Sequence, residues 1–388
     1  MKVYADNAAT TRMSRAAVRA MEYALRYTFG NPSSSHEWGR RANEAIESAR
    51  ATIAKCINAK PEEIYFTSGG TESNNWALKI AAYNNRKRII LQQTVNTFTS
   101  SIEHSSVDSV AESYKGCSYL NHLPVNEAGI VNPRDVDMQL LLSDTPTMLV
   151  SIMTANNEVG TIQQISDISK ICRKNNAPIH TDAVQAIGHV PVDVKDLGVD
   201  MLSASAHKFH GPKGVGFLYV RKGVPMVPLH YGGGQERGMR SGTENVPAII
   251  GMAVALEEAV SNMGANIARV TAMRDRLIDG LLQIQGARLN GHRTQRLPGN
   301  VNISFSDIDA ESLVLLLDSK GIAVSAGSAC STGDIAPSHV LMAMDRTAEE
   351  ARSAVRITID HYNTDAEIDY ILKTVPVCVG YLRGMRKR

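Results

Sequence analysis

The sequence has no long apolar run, few aromatic residues and almost no net charge, and each of these shortages removes a class of function. No stretch approaches the ~18 apolar residues that a membrane-spanning helix needs, so no membrane role is expected. Aromatic residues make up 5% of the chain, too few for the stacking platforms of single-strand nucleic-acid binders. Lysine and arginine number 41 against 39 acidic residues, a net charge of +2. That is too near neutral for a protein that coats a phosphate backbone, so no direct nucleic-acid partner is expected. The five cysteines (56, 117, 172, 330 and 378) are odd in number, scattered and never spaced as CxxC. Neither a disulfide framework nor a zinc ribbon is expected from them. The opening Met1-Lys2-Val3-Tyr4-Ala5-Asp6-Asn7 turns polar too early for a secretory signal. The expectation is a cytoplasmic protein with reduced thiols.

What is present is an ordinary globular composition, 43% apolar and 21% charged over 388 residues. That length suits two or three domains, or one large and one small. Short apolar runs at 64–67, 88–91, 148–153, 178–182, 201–204 and 216–220 lack strict alternation, as strands buried on both faces do. Helical patterns lie between them; Ala42, Ile46, Ala49 and Ile53 form one stripe at i, i+4, i+7 and i+11. This alternation predicts an α/β fold with a mostly parallel sheet covered by helices. The last third differs. Pro247 opens a helix to about 260, residues 266–284 read as another, and 301–305 alternate like a half-exposed strand. Thr347 with Glu350, and Thr364 with Glu367, have the spacing of capping boxes. A smaller α+β domain is expected from about residue 262. The basic tail (Arg383, Arg386, Lys387, Arg388) reads as a solvated terminus.

Four segments could carry chemistry. Lys208 follows a buried run and precedes Gly211-Pro212, at a sheet edge of the kind where α/β ligands bind. A lysine in a low-dielectric site near cations becomes a usable amine nucleophile. Asp182 ends the preceding run, where a carboxylate could hold a pyridinium N–H. Residues 67–73 (Thr-Ser-Gly-Gly-Thr-Glu-Ser) join a strand to a helix and could cup a phosphate, without the P-loop pattern. Cys330 sits among tiny residues (Ser325-Ala326-Gly327-Ser328-Ala329 before it), a stretch with little to pack. It is the best candidate for a working thiol in a mobile loop, about 325–336. A metal held by His180 and Asp182, or by His207 and His210, lacks a third ligand of suitable spacing, so no metal is expected.

Taken together, these segments resemble a known family. The chain is similar to cysteine desulfurases of the NifS/IscS type, pyridoxal-phosphate-dependent enzymes of fold type I within the class V aminotransferases. The resemblance runs from residues 4–11 (Tyr-Ala-Asp-Asn-Ala-Ala-Thr-Thr) to the last helices. It includes 29–34 (Phe-Gly-Asn-Pro-Ser-Ser), 67–73, 155–160 (Ala-Asn-Asn-Glu-Val-Gly), 180–185 (His-Thr-Asp-Ala-Val-Gln), the Lys208 segment, 232–237, 240–245 and the cysteine loop. It implies a large cofactor domain over 15–261 with a seven-stranded type of sheet. Residues 1–14 and 262–388 would form the small domain carrying the cysteine loop. Lys208 would hold pyridoxal 5'-phosphate covalently, Asp182 would pair with its pyridine nitrogen, and His104 would stack on the ring and handle protons. Gln185 and Asn157 would lie against the ring and its phenolic oxygen. Gly70, Thr71, Ser205 and His207 would hold the phosphate, with Thr243 reaching in from a second subunit of a homodimer. Arg356 would bind the carboxylate of L-cysteine as a bidentate fork, and Cys330 would accept the sulfur as a persulfide for a sulfur-acceptor protein, such as an iron–sulfur scaffold or a tRNA-thiolation enzyme. Residues 92–101 depart from the family's usual approach to His104. The alternatives are a selenocysteine lyase or aminotransferase on the same fold, a silent scaffold, and a hydrolase pairing Cys330 with His339.

Overall fold

The computed structural model describes residues 1–326 and 337–386. After β1 (Val3–Tyr4) the strands are β2 (Ile64–Thr67), β3 (Val95–Ser100), β4 (Ser118–Leu123), β5 (Thr147–Ser151), β6 (Ile179–Asp182), β7 (Met201–Ser205) and β8 (Gly216–Val220). Among the described residues, β2 to β8 form a seven-stranded sheet in the order β2-β8-β7-β6-β5-β3-β4. Only β8 runs against its neighbours; every other adjacent pair is parallel. Side chains alternate across a strand, so successive residues enter different cores. Leu202, Phe217 and Tyr219 join one apolar cluster, and Met201, Leu218 and Val220 join another. That is why these strands read as unbroken apolar runs.

Helix α1 (Arg15–Tyr27) and helix α2 (Glu37–Cys56) pack against the helix Val246–Ser261. The stripe Ala42, Ile46, Ala49 and Ile53 is buried in the first cluster. Helix α3 (Gly70–Asn84) lies in the other, with Trp76 fully buried. Trp76 donates its indole N–H to the Val227 carbonyl at 2.8 Å and meets Tyr65 edge-on. Trp76→Ala leaves a large void and an unpaired carbonyl. It should cost about 3–5 kcal/mol, read as a lower urea midpoint; an unchanged midpoint would contradict this packing.

The C-terminal part carries a separate antiparallel sheet, β12-β13-β10-β9, from β9 (Ala287–Leu289), β10 (Asn300–Phe305), β12 (Ser325–Ala326) and β13 (Ala354–Thr358). Helices Met263–Leu281, Ala310–Ser319 and Asp365–Arg386 close a core of their own with it. Val3 and Ala5 belong to that core, and β1 pairs in parallel with β11 (Ile322–Ala323). The chain's first residues therefore sit with its last third. Both capping boxes form: Thr347 N–H donates to Glu350 and Thr364 N–H to Glu367, and each glutamate N–H donates back to the threonine hydroxyl. No single helix among the described residues is long and apolar enough to cross a membrane.

Three elements differ from expectation. Residues 88–91 are not a strand; Arg86–Ile90 is a short helix, and Ile90 and the capping Leu91 after it face solvent. Four residues with basic neighbours carry no periodicity that separates the two states. Within 92–101, the stretch that departs from the family's usual approach to His104, Val95–Ser100 forms β3, a strand not read from the sequence and buried throughout. Its polar residues hid it, and they are satisfied sideways: Asn96 by Ser143 and Thr145, Thr97 by Ser118, Ser100 by Glu103. Finally, β10 is buried along its whole length. Asn300 and Asn302 both donate to the Glu158 carbonyl, so polar residues here mark contact with the first part of the chain and not with water. In the tail, Arg383 is not merely solvated; its guanidinium donates to the Ser306 carbonyl at 2.8 Å.

Candidate active site

The carboxyl ends of the parallel strands converge where α/β proteins bind ligands. A cavity of about 580 Å³ opens there. It brings together Gly70, Thr71, His104, Asn157, Asp182, Gln185, Ser205, His207, Lys208 and Arg356, ten of the residues singled out from sequence. Thr243 does not reach this cavity within one chain; it lines a neighbouring space of about 230 Å³, joined to the first through Ser68 and Gly214, which line both. Cys330 lies outside the described residues.

Each group is held by a specific element. Asp182 closes β6 and is 6% exposed. Its Oδ1 accepts the Val184 N–H at 2.9 Å and its Oδ2 accepts the Asn74 amide at 2.7 Å. Ser205 closes β7, and the chain turns at once through Ala206–Lys208. That turn projects Lys208, whose Nζ donates to the carbonyls of Ala8 and Ala9 at 2.6 and 2.8 Å. Gln185 donates to the same Ala8 carbonyl at 3.0 Å, so the motif at 4–11 walls the cavity as backbone. His207 meets Thr10 at 3.1 Å. Burial, helped by the positive Lys208 and Lys213, pulls His207 down to about 4. Its ring should not titrate above about pH 5 by NMR; a midpoint near 6.5 would contradict this packing.

α3 begins at Gly70, behind Gly69 at φ +153°, a conformation open only to glycine. A Cβ on Gly70 would meet Val184 at 2.5 Å. The helix has no side-chain N-cap, so its first amides face the cavity beside Ser205 and His207 without a capping acceptor. An uncapped helix start of this length, neutral donors around it, a lysine amine and a buried carboxylate make a donor set that fits pyridoxal phosphate.

Arg356, on β13, is 2% exposed. Its guanidinium donates to Asp6 Oδ1 at 2.9 Å and to the Asn157 carbonyl at 3.2 Å, and its Nε has no hydrogen-bond partner among the described residues. A buried donor left over at a cavity wall suits an incoming carboxylate. The fork is thus partly engaged by Asp6, which sequence reasoning did not foresee. Also unforeseen as cavity residues are Asn74, Ser106, Glu72 and Lys213. No sequence signal separates Asn74 from Thr71, Glu72, Ser73 and Asn75, the polar residues around it in the first turns of α3. His180 is fully buried between Ser151 and Ser203 hydroxyls, and burial pulls it down to about 3. His339 contacts the Glu103 carbonyl at 3.0 Å.

The aminotransferase class-V family matches residues 3–371. A cysteine desulfurase IscS of Methanosarcina thermophila is 47% identical over 99% of this chain and 93% of its own length. One from Dictyoglomus turgidum is 45% identical, covering 98% and 95%. The chain belongs to the class-V aminotransferases, as a pyridoxal-phosphate-dependent cysteine desulfurase. Among solved structures, a NifS-like protein superposes with a TM-score of 0.90 at 42% identity, covering 98% of this chain and all of the other. A NifS-like protein from Rickettsia africae gives 0.87 at 32% identity over 97% and 99%. The desulfurase thus has the fold type I architecture expected from its sequence.

Proposed function

We propose that the 580 Å³ cavity is where this desulfurase takes sulfur from L-cysteine. The observation that carries this reading is the meeting of Lys208, Asp182, His104 and Arg356 around one uncapped helix start. Gly70, Thr71, Ser205 and His207 would hold the cofactor's phosphate, Asp182 its pyridine nitrogen, and Lys208 its aldehyde carbon. Bound there, the cofactor supplies an electron sink for the pair released at the substrate's α carbon. Lys208 moves the α proton. His104, Gln185 and Asn157 orient the ring, and Arg356 fixes the substrate carboxylate. The Cys330 thiolate accepts the substrate's sulfur as a persulfide, leaving L-alanine, and passes it to an acceptor protein such as an iron–sulfur scaffold or a tRNA-thiolation enzyme.

The position of Thr243 supports a homodimer in which each copy's Thr243 serves the other's phosphate cup. A cytoplasmic enzyme with reduced thiols suits thiolate chemistry. Residues 15–261 would act as the cofactor domain, and 1–14 with 262–388 as the smaller one, since Val3 and Ala5 share the C-terminal core. Arg356→Lys tests the substrate assignment. It loses the planar fork, so KM for cysteine should rise by about 10- to 100-fold with a smaller change in kcat. An unchanged KM would place the carboxylate elsewhere.

A further inference from the structure

Two side chains at the cavity have no part in the chemistry described so far: Asn74 on α3 and Ser106 in the helix Ser105–Ser113. Asn74 is 1% exposed. Its Nδ2 donates to Asp182 Oδ2 at 2.7 Å and to Ser106 Oγ at 2.9 Å. Ser106 Oγ lies 2.7 Å from His104 Nδ1, and the Ser106 backbone N–H donates to the same nitrogen at 3.1 Å. An unbroken chain therefore runs from carboxylate through amide and hydroxyl to imidazole.

Its polarity is fixed. A backbone N–H can only donate, so Nδ1 is an acceptor and the neutral ring carries its proton on Nε2. The Ser106 hydroxyl accepts from Asn74 and gives its own hydrogen to Nδ1. The Asn74 amide cannot be reversed, because its oxygen would then face the Asp182 carboxylate. As oriented, Asn74 Oδ1 is buried with no partner among the described residues. A side chain kept only to hold the fold together would seldom leave a buried acceptor unpaired.

We propose that Asn74 and Ser106 are positioning residues of the desulfurase, holding His104 as its Nε2–H tautomer and tying its ring to the Asp182 carboxylate. This rests on the reading above that His104 and Asp182 both face the cofactor ring. The relay makes the two ends respond to each other. A change at Ser106 removes the second hydrogen bond to His104 Nδ1 and cuts the ring's link to Asn74, while the backbone N–H still donates to Nδ1; a change at Asn74 alters the hydrogen bonding of Asp182.

The test uses full-length, cofactor-loaded enzyme: wild type, Ser106→Ala, Ser106→Thr, Asn74→Ala and His104→Gln. The readouts are kcat and KM for alanine formation, the pH profile of kcat, and the cofactor's absorbance against pH. Ser106→Ala should lower kcat about tenfold, a usual scale for losing an orienting partner. It should leave KM within about twofold and move the pH profile; Ser106→Thr, which keeps the hydroxyl, should recover most of the loss. Asn74→Ala should shift the pH at which the cofactor's absorbance changes. Wild-type kcat and pH profile in Ser106→Ala, with His104→Gln impaired, would overturn the relay alone. An unimpaired His104→Gln would overturn the site reading beneath it. Should Ser106→Ala fail to fold, Asn74→Ala decides, since a wild-type absorbance titration there contradicts the proposal.

Discussion

A Cys330→Ser enzyme is expected to stay yellow with bound cofactor and to stop transferring sulfur. The residues proposed to hold the cofactor lie on β6, β7, α3 and the turn after β7, and none depends on the thiol. Serine has nearly the same volume, so the cofactor's absorbance should be unchanged. The hydroxyl is a far weaker nucleophile toward sulfur than a thiolate. Alanine and sulfide formation should fall by about a thousandfold or more. The described chain before Cys330 ends at β12, beside the cavity. Ser325 pairs with Arg356 across β12 and β13, and Arg356 lines the cavity. Ser338, beyond the cysteine, donates to the buried Glu158 at 2.5 Å. Sulfide release at the wild-type rate from the serine variant would remove Cys330 from the mechanism.

Lys208→Ala is expected to lose both covalent attachment and turnover. Lys208 is presented by a short turn at the end of a buried strand, with Nζ between two carbonyls of the N-terminal segment. Those bonds hold the amine at the cavity while leaving it exchangeable. Lys213 also lines the cavity, so it is the competitor that the experiment must exclude. Borohydride reduction of the wild-type enzyme and peptide mapping should find the cofactor on Lys208, and kcat of the alanine variant should fall by about a thousandfold or more. Attachment at Lys213, or a variant of normal activity, would reassign the amine.

The sequence-level signals succeeded where chemistry and position coincide. Asp182 and Ser205 close consecutive strands, Gly70 starts a helix after a strand, and Lys208 follows a buried run, so strand–loop logic placed them at one edge. Elements and residues whose role depends on distant neighbours stayed hidden. β3 looked polar because its partners, Ser118, Ser143 and Thr145, lie on other segments. The Asp6–Arg356 contact joins opposite ends of the chain, and no local pattern marks it. Asn74 and Ser106 gain meaning only when α3 and the helix after His104 are set side by side.

The decisive measurement is intact-peptide mass spectrometry of the cofactor-loaded enzyme after L-cysteine is added. A mass increase of one sulfur atom on the peptide containing Cys330, reversed by a thiol reductant and absent without cofactor, is the predicted result. An unmodified Cys330 in enzyme that is releasing alanine would contradict the account.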